Sequence, residues 1–184
     1  AEQFMAEPAE VGVDPGKVAV LLARARQEVD EGLLPATQVA LAKNGKLVCF
    51  ETFGDADNES LFCIFSATKA ITSAAAWLLI QEGKLDVSRK VVEVVPEFGT
   101  NGKQDIVIEQ LFTHTAGFPH APFRPTDWLD RDTRLARFAQ WTLNWPVGDR
   151  FEYHPTSSMW VIAEIIERLS GTAFDVFVRE RIAE

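Results

Sequence analysis

The stretch FCIFSATKAITSAAA, residues 62–76, decides the fold and contains the most unusual feature of the sequence. An apolar run at Leu61–Phe65 predicts a short strand, and a helical pattern begins at Ser66. The helix consists mostly of small and apolar residues, which suits a helix packed on several sides. Lys69 is its only charged residue from position 65 to position 81, and this isolation predicts that Lys69 is buried.

Ser66 and Lys69 are three residues apart, a spacing that brings their Cβ atoms within about 5–6 Å on one face of a helix. A serine hydroxyl becomes a nucleophile when a nearby base takes its proton, and a lysine with a depressed pKa can take part in that transfer. The helix N-terminus adds positive potential where an oxyanion would form. The alternative is an N-cap serine beside a solvent-facing lysine, because so short a motif also occurs by chance.

The residues before this stretch predict one helix and one hairpin. An Asp-Pro pair followed by apolar residues at helical spacing predicts a helix over 15–31. Strand patterns over 35–43 and 46–52 flank Asn44-Gly45, the strongest short hairpin signal. We therefore expect residues 1–65 to supply the N-terminal helix and the first strands of a sheet.

The residues after it, 66–184, predict a mainly helical region. Helices are expected over 66–82, 108–112, 130–143 and 157–170, followed by a last helix capped by Thr172 that runs to the end of the chain. The charged stretch LDRDTRLAR at 129–137 predicts a solvated helix face.

Composition excludes several classes of protein. The chain of 184 residues is 47% hydrophobic and 24% charged, as globular domains are. Its net charge of −9 argues against a nucleic-acid partner, since phosphate binding requires a basic surface. No apolar run approaches the length of a membrane span. The acidic, proline-interrupted start does not look like a signal peptide, so cytoplasm is favoured over periplasm or secretion.

Three residue types need separate interpretation. Cys49 and Cys63 are expected to be buried free thiols, with a disulfide as the alternative. The spacing of the histidines fits no metal-site motif, and neither a metal nor a cofactor is expected. Four tryptophans either pack in the core or form an apolar wall for an acyl or aryl group: Trp128, Trp141, Trp145 and Trp160.

Tyr153 is the single tyrosine of the chain. It follows a turn containing Gly148 and precedes a helix, so it can lie at the rigid edge of a cleft. A phenol close to an ammonium can have a lowered pKa and act as a base. A tyrosine that closes the core at a helix entry is the alternative.

Four motifs occur in order at familiar separations and together cover essentially the whole chain: Ser66-Ala67-Thr68-Lys69, GKLDVSRKVVEVVPEF (83–98), LFTHTAGF (111–118) and PVGDRFEYHPTSS (146–158). This set resembles the serine β-lactamase-like family, which includes class C β-lactamases, D-alanyl-D-alanine carboxypeptidases and esterases with the same fold. The resemblance implies an α/β (α+β) fold, with an antiparallel sheet flanked by helices and a mainly helical subdomain.

The resemblance also implies roles for individual residues. Ser66 matches the acylated nucleophile, and its backbone N–H matches one half of the oxyanion hole. Lys69 matches the lysine that shares the serine proton. Tyr153 matches the general base and acid of the class C and esterase branches. The implied substrate is a small-molecule ester or amide.

Two departures from the family pattern shape these expectations. The usual Y-x-N motif reads Tyr153-His154-Pro155, which removes an asparagine amide and favours an esterase-like or peptidase-like branch. His154 either lines the site or caps a turn. The family's third motif, of the K-T-G, H-T-G or W-x-G kind, has no match. The chain therefore resembles the N-terminal half of a family member, with an incomplete sheet that a later segment or a second chain is expected to complete.

The leading prediction is a serine hydrolase of esters or amides, with the esterase-like branch favoured. A β-lactamase or D-Ala-D-Ala carboxypeptidase is the alternative among enzymes. A non-catalytic homologue that binds peptides or partners is the alternative outside them.

Overall fold

The computed structural model describes residues 4–183, which divide into two units at Cys63 and Ile64. The predicted border lies two residues further along the chain, between 65 and 66. The first unit contains a helix and a hairpin, and the second is mainly helical.

Helix α1 of the first unit spans Pro15–Asp30. It begins where predicted because the Asp14 side chain accepts hydrogen bonds from the backbone N–H groups of Gly16, at 2.7 Å, and Lys17, at 3.2 Å. Such a cap satisfies donors that the first turn of a helix leaves unpaired.

The predicted hairpin is also confirmed. Strands β1 (Ala36–Lys43) and β2 (Lys46–Gly54) pair antiparallel, with a bulge after Leu41. Asn44 and Gly45 both have left-handed backbones, with φ of 55° and 74°, as a tight hairpin turn requires. The unit's small core joins one face of the hairpin to α1 through Val18, Val48 and Cys49.

The strand predicted at Leu61–Phe65 is wrong. Residues 61–64 have no regular structure, and a short 3₁₀ turn spans Phe65–Ala67. A strand persists where its backbone pairs with a neighbour, and the sheet within residues 4–183 contains β1 and β2 alone. Leu61 is 100% exposed, and Cys63 is an exposed free thiol, whereas Cys49 is buried as expected.

Among the described residues, the second unit contains five α-helices besides short 3₁₀ turns: α2 (Thr68–Gln81), α3 (Ile108–Phe112), α4 (Arg131–Gln140), α5 (Ser157–Ser170) and α6 (Phe174–Val178). A π-helical turn spans Arg179–Ala183. Gly171, with φ of 73°, ends α5 as predicted. Thr172 does not cap the last helix, because the N-cap position is Ala173 and the Thr172 N–H donates to Ser170 Oγ. Glu184, where that helix was expected to end, lies outside the described residues.

Packing of α2 against α5 forms the centre of the second unit. The two helices contribute side chains with 0–1% exposure from small and branched residues: Ala75, Ala76, Leu79, Val161, Ile162, Ile165 and Ile166. The alanines allow the two helices to approach closely, so the interior can reach the packing density of an organic crystal. Truncating a buried leucine or isoleucine in such an interface costs about 2–5 kcal/mol.

The sequence predicts that the charged stretch at 129–137 is a solvated helix face, but one of its arginines on α4 is buried. Arg134 is buried and forms an ion pair with the fully buried Glu164, at 2.8 Å, and another with Glu167. Arg168 approaches Glu164 from the same helix, at 2.7 Å. A buried carboxylate needs such partners because desolvation of an unpaired charge is costly, so these ions connect α4 to α5.

Lys103 is fully buried without a carboxylate beside it. Its ammonium donates to the Thr100 carbonyl at 2.8 Å, to Thr100 Oγ1 at 3.2 Å and to the Trp141 carbonyl, and it lies 5.3 Å from the centre of the Phe98 ring. Burial lowers the pKa of Lys103 from 10.5 to about 8.

This pKa predicts a pH-dependent stability. Between pH 8 and pH 10.5 the unfolded chain binds a proton at Lys103 that the folded chain does not, so the contribution of Lys103 to the free energy of unfolding rises with pH. We expect the free energy of unfolding of the wild type, minus that of Lys103→Met, to increase by up to about 3 kcal/mol from neutral pH to about pH 10. Urea unfolding at both pH values measures it, and a constant difference would show that the ammonium keeps its proton.

Candidate active site

Ser66 lies in the 3₁₀ turn that leads into α2, two residues before the α-helix begins. Its hydroxyl is exposed at the N-terminal end of α2, where the helix dipole places positive potential. The residue before it, Phe65, has a left-handed backbone with φ of 45°, which is uncommon for a bulky side chain. Strain of this kind persists only where surrounding contacts maintain it, and it occurs often at functional sites.

Lys69 points toward Ser66 from the first turn of α2. Its Nζ donates to Ser66 Oγ at 3.1 Å and to the Pro155 carbonyl at 2.5 Å. The prediction that Lys69 is buried is wrong, since its side chain is partly exposed. The charge-free part of α2 reaches the core only from Thr72 onward, so hydrogen bonds rather than burial hold the ammonium.

Tyr153 completes the cluster from the segment that precedes α5. Its O–H donates to Ser66 Oγ at 2.7 Å, and Lys69 Nζ lies 4.8 Å from the centre of its ring. The three side chains singled out from the sequence thus meet at one oxygen atom. The Tyr153 side chain stays 44% exposed, so it lies at an open edge rather than closing the core.

Electrostatics lower the pKa of the phenol at this edge. Interaction with the Lys69 ammonium is the largest cause that lowers the pKa of Tyr153 below 10.0, and the Ser66 hydroxyl adds to it, while partial desolvation opposes both. In the neutral state the phenol donates to Ser66 Oγ. As a phenolate the same oxygen can accept the serine proton, which is the geometry that a general base requires.

The Pro155 carbonyl is a site group that sequence reasoning missed. The sequence indicated only that position 155 lacks an amide side chain. The backbone oxygen of Pro155 nevertheless accepts from Lys69 Nζ at 2.5 Å and so supplies an acceptor for the ammonium. A motif read as side-chain identities gives no signal for a backbone contact of this kind.

His154 lies in the protein interior, with 0% exposure. Its Nε2 accepts from the Phe118 N–H at 3.1 Å, and its Nδ1–H donates to the Glu152 carbonyl at 2.6 Å. These partners assign the neutral tautomer with the proton on Nδ1. Burial lowers the pKa of His154, so the ring acts as an uncharged link between backbone segments.

His114, in the THTAGF loop, was expected to fix the turn after its helix, and the sequence did not indicate that it contacts the segment that carries Tyr153. Its Nδ1 accepts from the backbone N–H of His154 at 3.1 Å, and its ring centre lies 4.9 Å from that of Tyr153. Burial, and then the charge of Lys69, lower the pKa of His114. His120 is exposed and lines a separate cavity of about 340 Å³ near Trp141.

An apolar chamber of about 470 Å³ opens beside Ser66 and Lys69. Its apolar wall consists of Phe65, Met159, Trp160, Ala163 and Phe174, and its remaining lining is Thr68, Thr72, Pro155 and Thr156. The tryptophans divide between the two predicted uses. Trp141 and Trp145 are buried in the core, whereas Trp160 lines the chamber. The ring of Trp128 contacts that of Trp160, with 5.4 Å between the ring centres.

No group of three or more His, Cys, Asp or Glu side chains among residues 4–183 lies close enough together to hold a metal ion. No helix in the described part of the chain has the length and apolarity needed to cross a bilayer.

Comparison with known proteins places this geometry in a family context. A family model described as Beta-lactamase matches residues 21–184. Among curated proteins, the Esterase/beta-lactamase LipL of Mycobacterium tuberculosis is 28% identical over 122 residues, which cover 66% of this chain and 28% of that protein.

Solved structures agree with this match. A penicillin-binding protein homologue from Caulobacter crescentus superposes with a TM-score of 0.77 at 29% identity, covering 94% of this chain and 49% of that one. A family VIII carboxylesterase superposes with a TM-score of 0.80 at 24% identity, covering 93% of this chain and 49% of that one, and this likeness shows the fold. The predicted fold class is confirmed, and the chain spans about half the length of these solved proteins.

Proposed function

The chain belongs to the beta-lactamase family, and we propose that within this hydrolytic family it is a serine hydrolase that cleaves esters or amides through an acyl-enzyme on Ser66. One observation carries the proposal: the Tyr153 phenol, at 2.7 Å, and the Lys69 ammonium, at 3.1 Å, both contact Ser66 Oγ. A nucleophile with a base and a cation within hydrogen-bond reach is the arrangement that acyl transfer requires.

Acylation follows from these contacts. Tyr153, as a phenolate stabilised by Lys69, accepts the proton of Ser66 while Oγ attacks the carbonyl carbon of the substrate. The tetrahedral intermediate collapses, the bond to the leaving oxygen or nitrogen breaks, and Tyr153 returns the proton to that atom. The products of this half-reaction are a Ser66 ester and a free alcohol or amine.

Deacylation uses the same groups in reverse order. A water molecule gives a proton to the Tyr153 phenolate as its oxygen attacks the Ser66 ester. Collapse of the second intermediate returns the proton to Ser66 Oγ and releases the carboxylic acid. Lys69 keeps its ammonium beside Ser66 Oγ and its second hydrogen bond to the Pro155 carbonyl. The negative charge passes from the Tyr153 phenolate to the oxyanion of each intermediate and returns to the phenolate when that intermediate collapses.

Stabilisation of the oxyanion requires donors placed at the developing charge. The Ser66 N–H is the first donor, and we propose that a later segment or a second chain supplies the other donor and further strands. The chain spans about half the length of its solved relatives, which supports this proposal.

We expect residues 1–184 alone to be at least about 10²-fold less active than the complete protein, since one oxyanion donor contributes about 10²–10³ in rate. A fully active, monomeric 20.5 kDa species in a side-by-side assay and mass measurement would refute it.

Two features favour esters over β-lactams. The side chain at position 155 has no amide to contact a β-lactam, because the residue is proline. The chamber beside Ser66 is walled mainly by apolar side chains and suits the hydrocarbon part of an acyl group. We therefore favour esters of apolar carboxylic acids as the substrate class.

Replacement of the nucleophile tests the proposal. In the complete protein, Ser66→Ala should abolish labelling by a fluorophosphonate probe and lower hydrolysis of a p-nitrophenyl ester by at least about 10³-fold, because no acyl-enzyme can form. Ser73→Ala, on helix α2 that follows Ser66, is the matched control and should retain both. Unchanged labelling in Ser66→Ala would refute the assignment, and faster turnover of nitrocefin than of the ester would favour the β-lactamase alternative.

Enlarging the chamber tests the substrate class. Trp160→Ala should raise the ratio of kcat/KM for a p-nitrophenyl octanoate over a butyrate by about 10-fold, since each methylene in an apolar pocket contributes roughly 1–3 kcal/mol. Because both kcat/KM values are measured on one preparation, their ratio does not depend on the fraction of the protein that is folded. Trp77→Ala, at an exposed tryptophan outside the chamber, is the control and should leave the ratio unchanged. Equal ratios in all three proteins would show that acyl groups do not enter the chamber.

A further inference from the structure

We propose that His114 is a positioning residue that holds Tyr153 against Ser66 and Lys69 by accepting a hydrogen bond with a neutral imidazole ring. The inference deepens the proposed function and rests on it for its kinetic consequence, while its structural content can be measured separately.

His114 accepts hydrogen bonds from the backbone N–H groups on both sides of Tyr153. The N–H of Glu152 donates to the His114 carbonyl at 3.1 Å, and the N–H of His154 donates to His114 Nδ1 at 3.1 Å. Tyr153 is the single residue between these two donors. One residue therefore fixes the chain immediately before and after the phenol, while its ring packs against the tyrosine ring at 4.9 Å.

The loop that carries His114 is itself held to the neighbouring segments. The Phe118 N–H donates to His154 Nε2 at 3.1 Å, and Ser157 Oγ donates to the Phe118 carbonyl at 3.0 Å. Gly117, with φ of 88°, lies so close to the chain that an added Cβ would be 2.7 Å from the Trp145 carbonyl. The loop at 114–118 and the segment at 152–157 thus form one hydrogen-bonded frame around Tyr153.

The backbone of His114 also points to a constrained position. Its φ of 59° is left-handed, a conformation that histidine and asparagine adopt more readily than most residues but still uncommonly. Contacts on both sides of the loop must maintain it. His114 keeps this uncommon conformation and makes a hydrogen bond on each side of Tyr153, so we infer that the position serves to place the Tyr153 phenol.

Acceptance of a hydrogen bond at Nδ1 requires that His114 stays neutral. An imidazolium has donors at both nitrogens, so protonation would break the contact from the His154 N–H. The charged and titratable groups around it are Lys69 from α2, with Tyr153 and His154 from the facing segment, and Glu152 paired with His120 beyond them. Burial and Lys69 lower the pKa of His114, which keeps the acceptor intact at neutral pH.

Two substitutions separate the acceptor from the backbone conformation. His114→Asn tolerates the left-handed backbone and offers its side-chain oxygen near the position of Nδ1. His114→Gly tolerates the same backbone and offers no acceptor. Comparison of the two in the complete protein therefore isolates the hydrogen bond from strain.

The first readout does not depend on catalysis. The ionisation of Tyr153 is followed by ultraviolet difference titration against the same protein carrying Tyr153→Phe. In His114→Gly the pKa of Tyr153 should rise toward 10.0, as it should in the reference variant Lys69→Met, because the phenol loses its placement beside the ammonium. In His114→Asn the pKa of Tyr153 should stay close to that of the wild type.

The second readout is kinetic. His114→Gly should lower kcat for a p-nitrophenyl ester by about 10- to 100-fold with KM changed less than about 3-fold, because misplacement of a base acts on the transition state. His114→Asn should restore most of kcat. It should also remain active at lower pH than the wild type, since the group whose protonation breaks the contact is gone.

Each result supports or overturns the inference. A Tyr153 pKa unchanged in His114→Gly, or equal losses of kcat in the Gly and Asn variants, would refute a positioning role. If Ser66 is never acylated, the proposed function fails, yet the titration still decides whether His114 sets the pKa of Tyr153.

Discussion

Close packing of α2 on α5 is the constraint on which the rest of the second unit depends. Ser66 and Tyr153 are 87 residues apart in the sequence, and their hydroxyl groups meet because the alanine face of α2 lies against the branched residues of α5. Placement of the proposed nucleophile, Ser66, thus follows from hydrophobic burial several turns away from it. The reactive groups themselves contribute little to that burial, since Ser66 and Tyr153 are exposed and Lys69 is only partly covered.

Hydrogen bonds therefore hold the exposed side chains of the site in place, as close packing holds the side chains of the core. Lys69 is shared between Ser66 Oγ and the Pro155 carbonyl, and Tyr153 sits between two backbone donors that bond to His114. Directed bonds of this kind fix angles as well as distances, which acyl transfer requires. They also leave the groups accessible to a substrate, which full burial would not. The neighbouring apolar chamber adds a surface for hydrocarbon without removing the polar groups from water.

The features that the sequence predicted correctly are those specified by local chemistry. The Asn44-Gly45 turn, the Asp14 cap and the Gly171 terminus each follow from the conformational preferences of a few residues. The convergence of Ser66, Lys69 and Tyr153 came from a set of motifs, not from any single one. The errors arose where distant partners decide the outcome. The strand at Leu61–Phe65 lacks a paired neighbour, Arg134 finds a buried carboxylate on another helix, and the hydrogen-bonding roles of His114 and His154 depend on contacts nearly 40 residues away.

The acceptor that Pro155 presents to Lys69 belongs to the main chain, and this has a practical consequence. A carbonyl oxygen neither gains nor loses a proton in water, so this half of the lysine's environment is the same at every pH. It is also present whatever side chain occupies the position. An alanine scan would test the proposed roles of Ser66, Lys69 and Tyr153 but would pass over the backbone oxygen that accepts from the Lys69 ammonium. Only a change in the course of the backbone could remove this carbonyl oxygen. Substitutions at position 155 can therefore change the sequence motif while the hydrogen bond from Lys69 is kept.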